Sequence, residues 1–169
     1  MIFFTNSRPK RWLDSRISIG SYRPTHRGVH KISHLPFPIL FYDGECAICH
    51  GGVRFLLDRD KAGRLHFAPI GGETWEAVLP ADFRANPPDS VVLVIARGSR
   101  PLVRSRASLA ALGLLGPPWN KRAALLGRIP EGLRDGVYRV IAALRKRVLG
   151  APKAACPRVP PELRPRLLP

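Results

Sequence analysis

Two cysteines three residues apart, Cys46 and Cys49, stand directly after a short apolar run, Ile39 to Tyr42, in the stretch ILFYDGECAICHGGVRFLL. Four apolar residues followed by the turn pair Asp43 and Gly44 fit a buried strand ending at a sheet edge. From Cys49 the apolar positions recur at Val53, Leu56 and Leu57, a helical period, with Arg54, Asp58, Arg59 and Asp60 opposite and Gly63 as a stop signal. Cys46 is thereby expected at the helix N-terminus. Unpaired first-turn amides and the positive end of the helix dipole favour a thiolate there, and Cys49, one turn on, is expected to face inward. Two sulfurs on one helical turn close a small disulfide ring with little backbone movement, so the pair can cycle. A Cys-x-x-Cys in a strand-to-helix turn is a thioredoxin-like redox signature.

Other chemistries use the same residues. With His50 next in line, CAICH also satisfies the c-type haem attachment pattern, but such attachment needs export, and the single methionine, Met1, is the sole candidate distal ligand of that kind. Zinc could draw on Cys46, Cys49, Cys156 and His66, although one closely spaced cysteine pair without a second is weak support for a structural site. Cysteine is also a common small core residue. Redox chemistry accounts best for the spacing, and no cofactor or metal is expected.

The pattern continues as an α/β alternation. Leu65 to Ala68 reads as a second strand, parallel to the first because a helix connects them. Thr74 is expected to cap a short helix through Leu79 that stops at Pro80, and Asn86, Pro87 and Pro88 form a loop. Ser90 to Ala96, nearly all Val, Leu and Ile, reads as a strand buried on both faces. Arg97 to Arg100 turns the chain into Pro101 to Arg104, a hairpin partner. Ser105 is expected to cap the helix Arg106 to Leu115, which ends at Gly116, Pro117 and Pro118. This order describes a thioredoxin-like mixed sheet with helices on both faces and the cysteines where the first strand ends. Additional C-terminal helices are expected over Trp119 to Ile129 and Leu133 to Leu149. The second of these carries Leu133, Val137, Val140, Ile141, Leu144 and Val148 on one stripe, expected to pack on the domain, and Arg134, Arg139, Arg145, Lys146 and Arg147 opposite.

The charge is unevenly spread. The 169 residues carry a formal net charge of +16, with 28 Lys and Arg against 12 acids. Residues 1–34 hold seven cations and one acid, residues 35–96 five and eight, residues 97–169 sixteen and three. The redox segment is therefore mildly acidic between basic flanks. The expected organisation is a basic extension over residues 1–34, a thioredoxin-like domain over 35–150 and an extended Pro/Arg-rich tail over 151–169. The extension has no apolar core of secretory length, and Pro9, Gly20 and Pro24 interrupt the amphipathic helix that an organellar transit peptide would need. A non-standard start at Val29 would shorten it to the domain itself. His26, His30 and His34 have no acid or cysteine near them and read as solvated. Without an export signal the cytoplasm is the expected compartment, where Cys-x-x-Cys serves catalysis more often than structure.

The strings DGECAIC, VRFLLDRD, VRSRASLAAL, PPW, IPEGLRDGVYRVIA and CPRVP resemble the DCC family of thiol-disulfide oxidoreductases, which takes its name from an Asp-x-x-Cys-x-x-Cys motif. Asp43, Cys46 and Cys49 match that motif one for one, and the likeness runs from about Pro38 to near the C-terminus. It implies a thioredoxin-like fold and a dithiol exchange enzyme. Two departures stand out. Arg106 occupies a position where many members carry an acid, and Pro88 lies two residues ahead of Ser90, whereas thioredoxins place a cis-proline directly before the corresponding strand. Asp43 has two readings: a cap for the turn amides, or a carboxylate that accepts the proton of Cys49 when a mixed disulfide resolves. The expected partner is a disulfide-containing or dithiol protein, or a small thiol. The competing expectation is a non-catalytic adaptor with structural or zinc-binding cysteines, whose basic C-terminal helices meet an acidic partner or anionic membrane surface; nucleic acid is not expected.

Overall fold

A computed structural model describes residues 34–44, 47–148 and 160–169, with the side chains of 47–50 and 144–148 outside that description. In chain order the elements are β1 (Ile39–Tyr42), α1 (Ala47–Arg59), β2 (His66–Pro69), α2 (Glu73–Val78), α3 (Ala81–Ala85), β3 (Val92–Val94), β4 (Leu102–Val103), α4 (Arg104–Leu114), α5 (Trp119–Gly127), α6 (Glu131–Val148) and a 3-10 helix (Pro161–Arg166). The sheet order is β2-β1-β3-β4. β1 pairs with β2 in parallel, Ile39 opposite His66 through Tyr42 opposite Pro69, and with β3 antiparallel, Ile39 opposite Val94 through Phe41 opposite Val92. β4 closes the hairpin on β3. This is the mixed α/β arrangement of a thioredoxin-like fold.

All four residues of β1 and all three of β3 are buried, because helices cover both faces of the sheet. One layer joins Leu40, Phe67 and Leu93 to Val53, Leu56 and Leu57 of α1 and Ala107 and Ala111 of α4. The alanines let α4 approach the sheet closely. The other layer joins Ile39, Phe41, Ala68, Val92 and Val94 to Trp75 and Leu79. Phe41 meets Trp75 edge-on, ring centroids 5.3 Å apart. Burying a phenylalanine of this kind contributes about 2 kcal/mol, so β1, with a large side chain on each face, is the centre of the fold.

Several local expectations are corrected. Thr74 is not the cap of α2: Gly72 holds that position, and Thr74 is buried inside the first turn, its N–H donating to the carbonyl of Pro169 at 2.8 Å. A Cβ on Gly72 would come within 2.9 Å of Pro69 Cγ, so only glycine fits where the chain passes that residue. Ser105 is not the cap of α4 either. The helix starts at Arg104, capped by Val103, and the Ser105 hydroxyl donates instead to Asp135 Oδ1 of α6. The short helix α3 fills the stretch between Pro80 and Asn86 that the sequence leaves without an element.

The two largest departures lie beyond α4. Over its described side chains the apolar stripe of α6 does not pack on the domain: Leu133, Val137, Val140 and Ile141 are all exposed, the side chains of Leu144 and Val148 lie outside the described residues, and the helix docks through Asp135, Tyr138 and the buried Ala142. Polar anchors choose the docking face, since burying Asp135 and Tyr138 with their partners excludes burying the stripe, which lies elsewhere on the helix circumference. The tail is not extended over its last ten residues. Residues 160–169 return to the sheet, where Leu167 bridges Phe67 in parallel and the Leu168 N–H donates to the Phe67 carbonyl at 2.7 Å. Leu163 and Leu167 join one apolar layer and Leu168 the other. Residues 1–33 and Cys156 lie outside the described residues.

Candidate active site

β1 ends at Tyr42 and α1 begins at Ala47, so Asp43, Gly44, Glu45 and Cys46 join strand to helix, and Cys49 is the third residue of α1. Asp43 is half-buried and Gly44 exposed. Cys46 lies outside the described residues, as does the side chain of Cys49. The helix behind them is fixed firmly. Val53, Leu56 and Leu57 anchor it in the core, and Phe55 meets Trp119 of α5 edge-on with centroids 4.9 Å apart. Arg59, in the last turn, lies over the Phe55 ring at 3.9 Å, and Arg122 lies over Trp119 at 4.5 Å. The first turn of α1 holds no acid that would oppose an anion at its amides.

The sheet supplies the surroundings of this turn. On the parallel side the Ile70 N–H donates to the Tyr42 carbonyl at 2.9 Å. On the antiparallel side the β1–β3 pairing runs to Phe41 opposite Val92, and Ser90 and Val91 lead directly into that end of β3. A polar cluster that sequence reasoning missed is built there. Buried Ser90 accepts the Arg104 N–H at its Oγ, 3.3 Å, and the Tyr138 hydroxyl accepts the Val91 N–H at 3.2 Å. Ser105 Oγ, besides donating to Asp135, accepts from Arg134 Nη1 at 3.3 Å, and Arg104 Nη1 stands 3.9 Å from Asp135 Oδ2. Arg104 has φ 51°, a left-handed conformation rare outside glycine, at the junction of β4 and α4. The cluster ties the segment entering β3 to α4 and α6, near the strand end that leads to the cysteines. Its signal in the sequence was the polar set Arg134, Asp135 and Tyr138, spaced for one side of a helix whose other side is apolar.

Arg106, the departure in the Ser-x-Ala segment, pairs with Glu131 at 3.1 Å, joining α4 to the start of α6. The cis peptides among the described residues precede Pro38 and Pro118; the one before Pro88 is not among them. Of the four residues that could have held zinc, only His66 has a described side chain. It sits on β2, its buried Nδ1 without a hydrogen bond among the described residues. Burial first, then the Arg166 guanidinium, holds its pKa below the ordinary 6.5, against the raising influence of the Pro38 backbone and Asp60. His34 is exposed, while His26 and His30 lie outside the described residues.

A family model for DCC1-like thiol-disulfide oxidoreductases matches residues 40–151, from the second residue of β1 past the end of α6. The chain belongs to this family. A chloroplastic DCC family protein of Arabidopsis thaliana is 30% identical over 113 residues, 67% of this chain and 65% of that protein. The uncharacterized protein YuxK of Bacillus subtilis is 29% identical over 136 residues, 80% of this chain and 96% of that protein. The chain thus spans a little under two thirds of the plant relative and nearly all of the bacterial one. No solved structure matches. Membership in the DCC family gives the chain a thiol-disulfide redox role in general terms, and no described helix is long and apolar enough to cross a membrane.

Proposed function

We propose that this DCC protein exchanges disulfides with a protein or small-thiol partner through Cys46 and Cys49. The observation that carries the reading is that the Cys-x-x-Cys spans the junction between a fully buried central strand and a helix packed against the same core, in a chain of a thiol-disulfide oxidoreductase family. In the reducing direction the Cys46 thiolate attacks one sulfur of the partner's disulfide. That bond breaks, the departing sulfur takes up a proton, and Cys46 is left in a mixed disulfide. Cys49 then gives up its proton and attacks Cys46 Sγ, forming the intramolecular disulfide and releasing the second partner thiol. Two electrons pass from the pair to the partner, and the reverse direction uses the same bonds. First-turn amides favour the Cys46 thiolate. Asp43 is the proton acceptor for Cys49, at the cost of opposing charge at Cys46, so its value lies in resolution rather than first attack. The cytoplasm is the compartment this chemistry suits best.

The two cysteines have separable roles, and trapping distinguishes them. Cys49→Ser is expected to accumulate mixed disulfides, seen on a non-reducing gel as adducts that vanish with reductant, whereas Cys46→Ser traps few. Equal trapping by both variants, or a wild-type pair that resists alkylation until a chelator is added, would overturn the assignment, the latter in favour of zinc.

A further inference from the structure

The face that α6 turns outward is apolar from Leu133 to Ile141. Leu133, Val137, Val140 and Ile141 recur at helical spacing and are 64%, 55%, 59% and 51% exposed, and Ile129, four residues before Leu133, is exposed as well. The inward side of the helix is already occupied by Asp135, Tyr138 and Ala142, so the stripe cannot turn in without breaking the Ser105–Asp135 and Val91–Tyr138 hydrogen bonds. Four branched aliphatic side chains in one exposed row mark an interaction surface rather than scattered surface residues.

The charges around the stripe indicate what covers it. Residues 119–148 carry eight Lys and Arg and two acids, and both acids are engaged toward the domain, Glu131 with Arg106 and Asp135 with Ser105 and Arg104. Lys121, Arg128 and Arg139 are exposed. We propose that the outward face of α6 docks on an anionic lipid surface, the helix lying in the membrane plane with Leu133, Val137, Val140 and Ile141 among the acyl chains and the excess cations of this region drawn toward the headgroups. An apolar stripe on one side of a cation-rich helix too polar to span is the composition of an interfacial helix. Long cationic side chains lay their stems along apolar surface while their heads reach outward. A second copy of the chain fits poorly, because it would set one +16 molecule's cations against another's. The chain's own residues 149–159 offer Lys153 and Arg158 and no acid, so they do not complement the face either.

The experiment uses the full chain in sedimentation with vesicles of phosphatidylcholine alone or mixed with phosphatidylglycerol, beside the triple variant Leu133→Gln, Val137→Gln, Val140→Gln. The variant changes no charge and no buried residue, and its melting temperature is measured alongside. Wild type is expected to sediment with the mixed vesicles and not with neutral ones, and the variant to bind roughly tenfold or more weakly with unchanged melting. Unchanged binding by the variant would mean that basic charge alone, including that of residues 1–34, accounts for the attraction, and would overturn the proposal. So would failure of wild type to bind, or light scattering that finds a dimer which the variant dissolves. A stripe-dependent complex with polyglutamate in the absence of vesicle binding would give the face to an acidic protein instead.

Discussion

His66 is a titratable group whose pKa the fold lowers. Burial on β2 disfavours its imidazolium, and the Arg166 charge adds to that. Because the folded pKa lies below the unfolded one, the unfolded chain binds more protons through that window, and stability falls as pH drops below about 6.5. His66→Gln, which keeps a polar side chain without a proton to gain, is expected to flatten the acid limb of stability. Urea midpoints for both proteins at pH 7.5 and 5 measure this; parallel pH dependence would remove His66 as the cause. The cap residues carry a related lesson. Thr74 and Ser105 have the right chemistry to begin a helix, and sequence alone places them there. Each instead lies inside a first turn and serves a long-range contact, Thr74 with Pro169 and Ser105 with Asp135, and neither partner is visible from within a local window.

At the scale of elements, the returning C-terminal segment is fastened by one charged group. Arg166 donates to Asp60 Oδ2, to the Leu65 carbonyl at 2.9 Å and to the Asp60 carbonyl at 3.3 Å, while Asp60 Oδ2 also accepts the Leu65 N–H at 2.7 Å. The carboxylate is 1% exposed and the guanidinium 11%. Removing one member of such a pair leaves the other buried without compensation, so Arg166→Leu is expected to cost about 3 kcal/mol, measurable as a lowered urea midpoint. A loss comparable to that of an exposed pair such as Arg54–Asp58 would show that solvent reaches the site freely. Composition alone reads this segment as extended, since proline and arginine give no periodicity, and the partners of Arg166 lie 101 and 106 residues away. The strands and α1 were legible because burial and period coincide in them. The orientation of α6 was not: its strongest apolar period faces away from the core, and a few polar contacts decide which side docks.

For the molecule as a whole, the described members of both apolar layers lie from Leu35 onward, and the stretch 35–96, with more acids than cations, holds the strands β1 to β3. Residues 1–33 lack a sustained apolar period, so their deletion is expected to leave the melting temperature and thiol reactivity as they are, checked by circular dichroism and alkylation rate. A large fall in melting temperature would give the basic extension a part in the core. The motif chemistry was readable because spacing and position in the strand-to-helix turn are both local properties. The Ser90, Arg104, Ser105, Asp135 and Tyr138 cluster was not, because it gathers residues from two helices and the segment before β3.

The segment that Arg166 fastens has a consequence for solubility. A sheet whose outermost strand presents unpaired backbone groups is a template on which another chain can lay a strand, and short, covered or charged margins are how proteins avoid it. Here β4 is only two residues long at one margin, and at the other the Leu167 and Leu168 backbone occupies Phe67. Loosening the Arg166 fastening would therefore do more than lower stability. It would uncover the margin of β2 and turn a guarded edge into a seed for strand-to-strand aggregation.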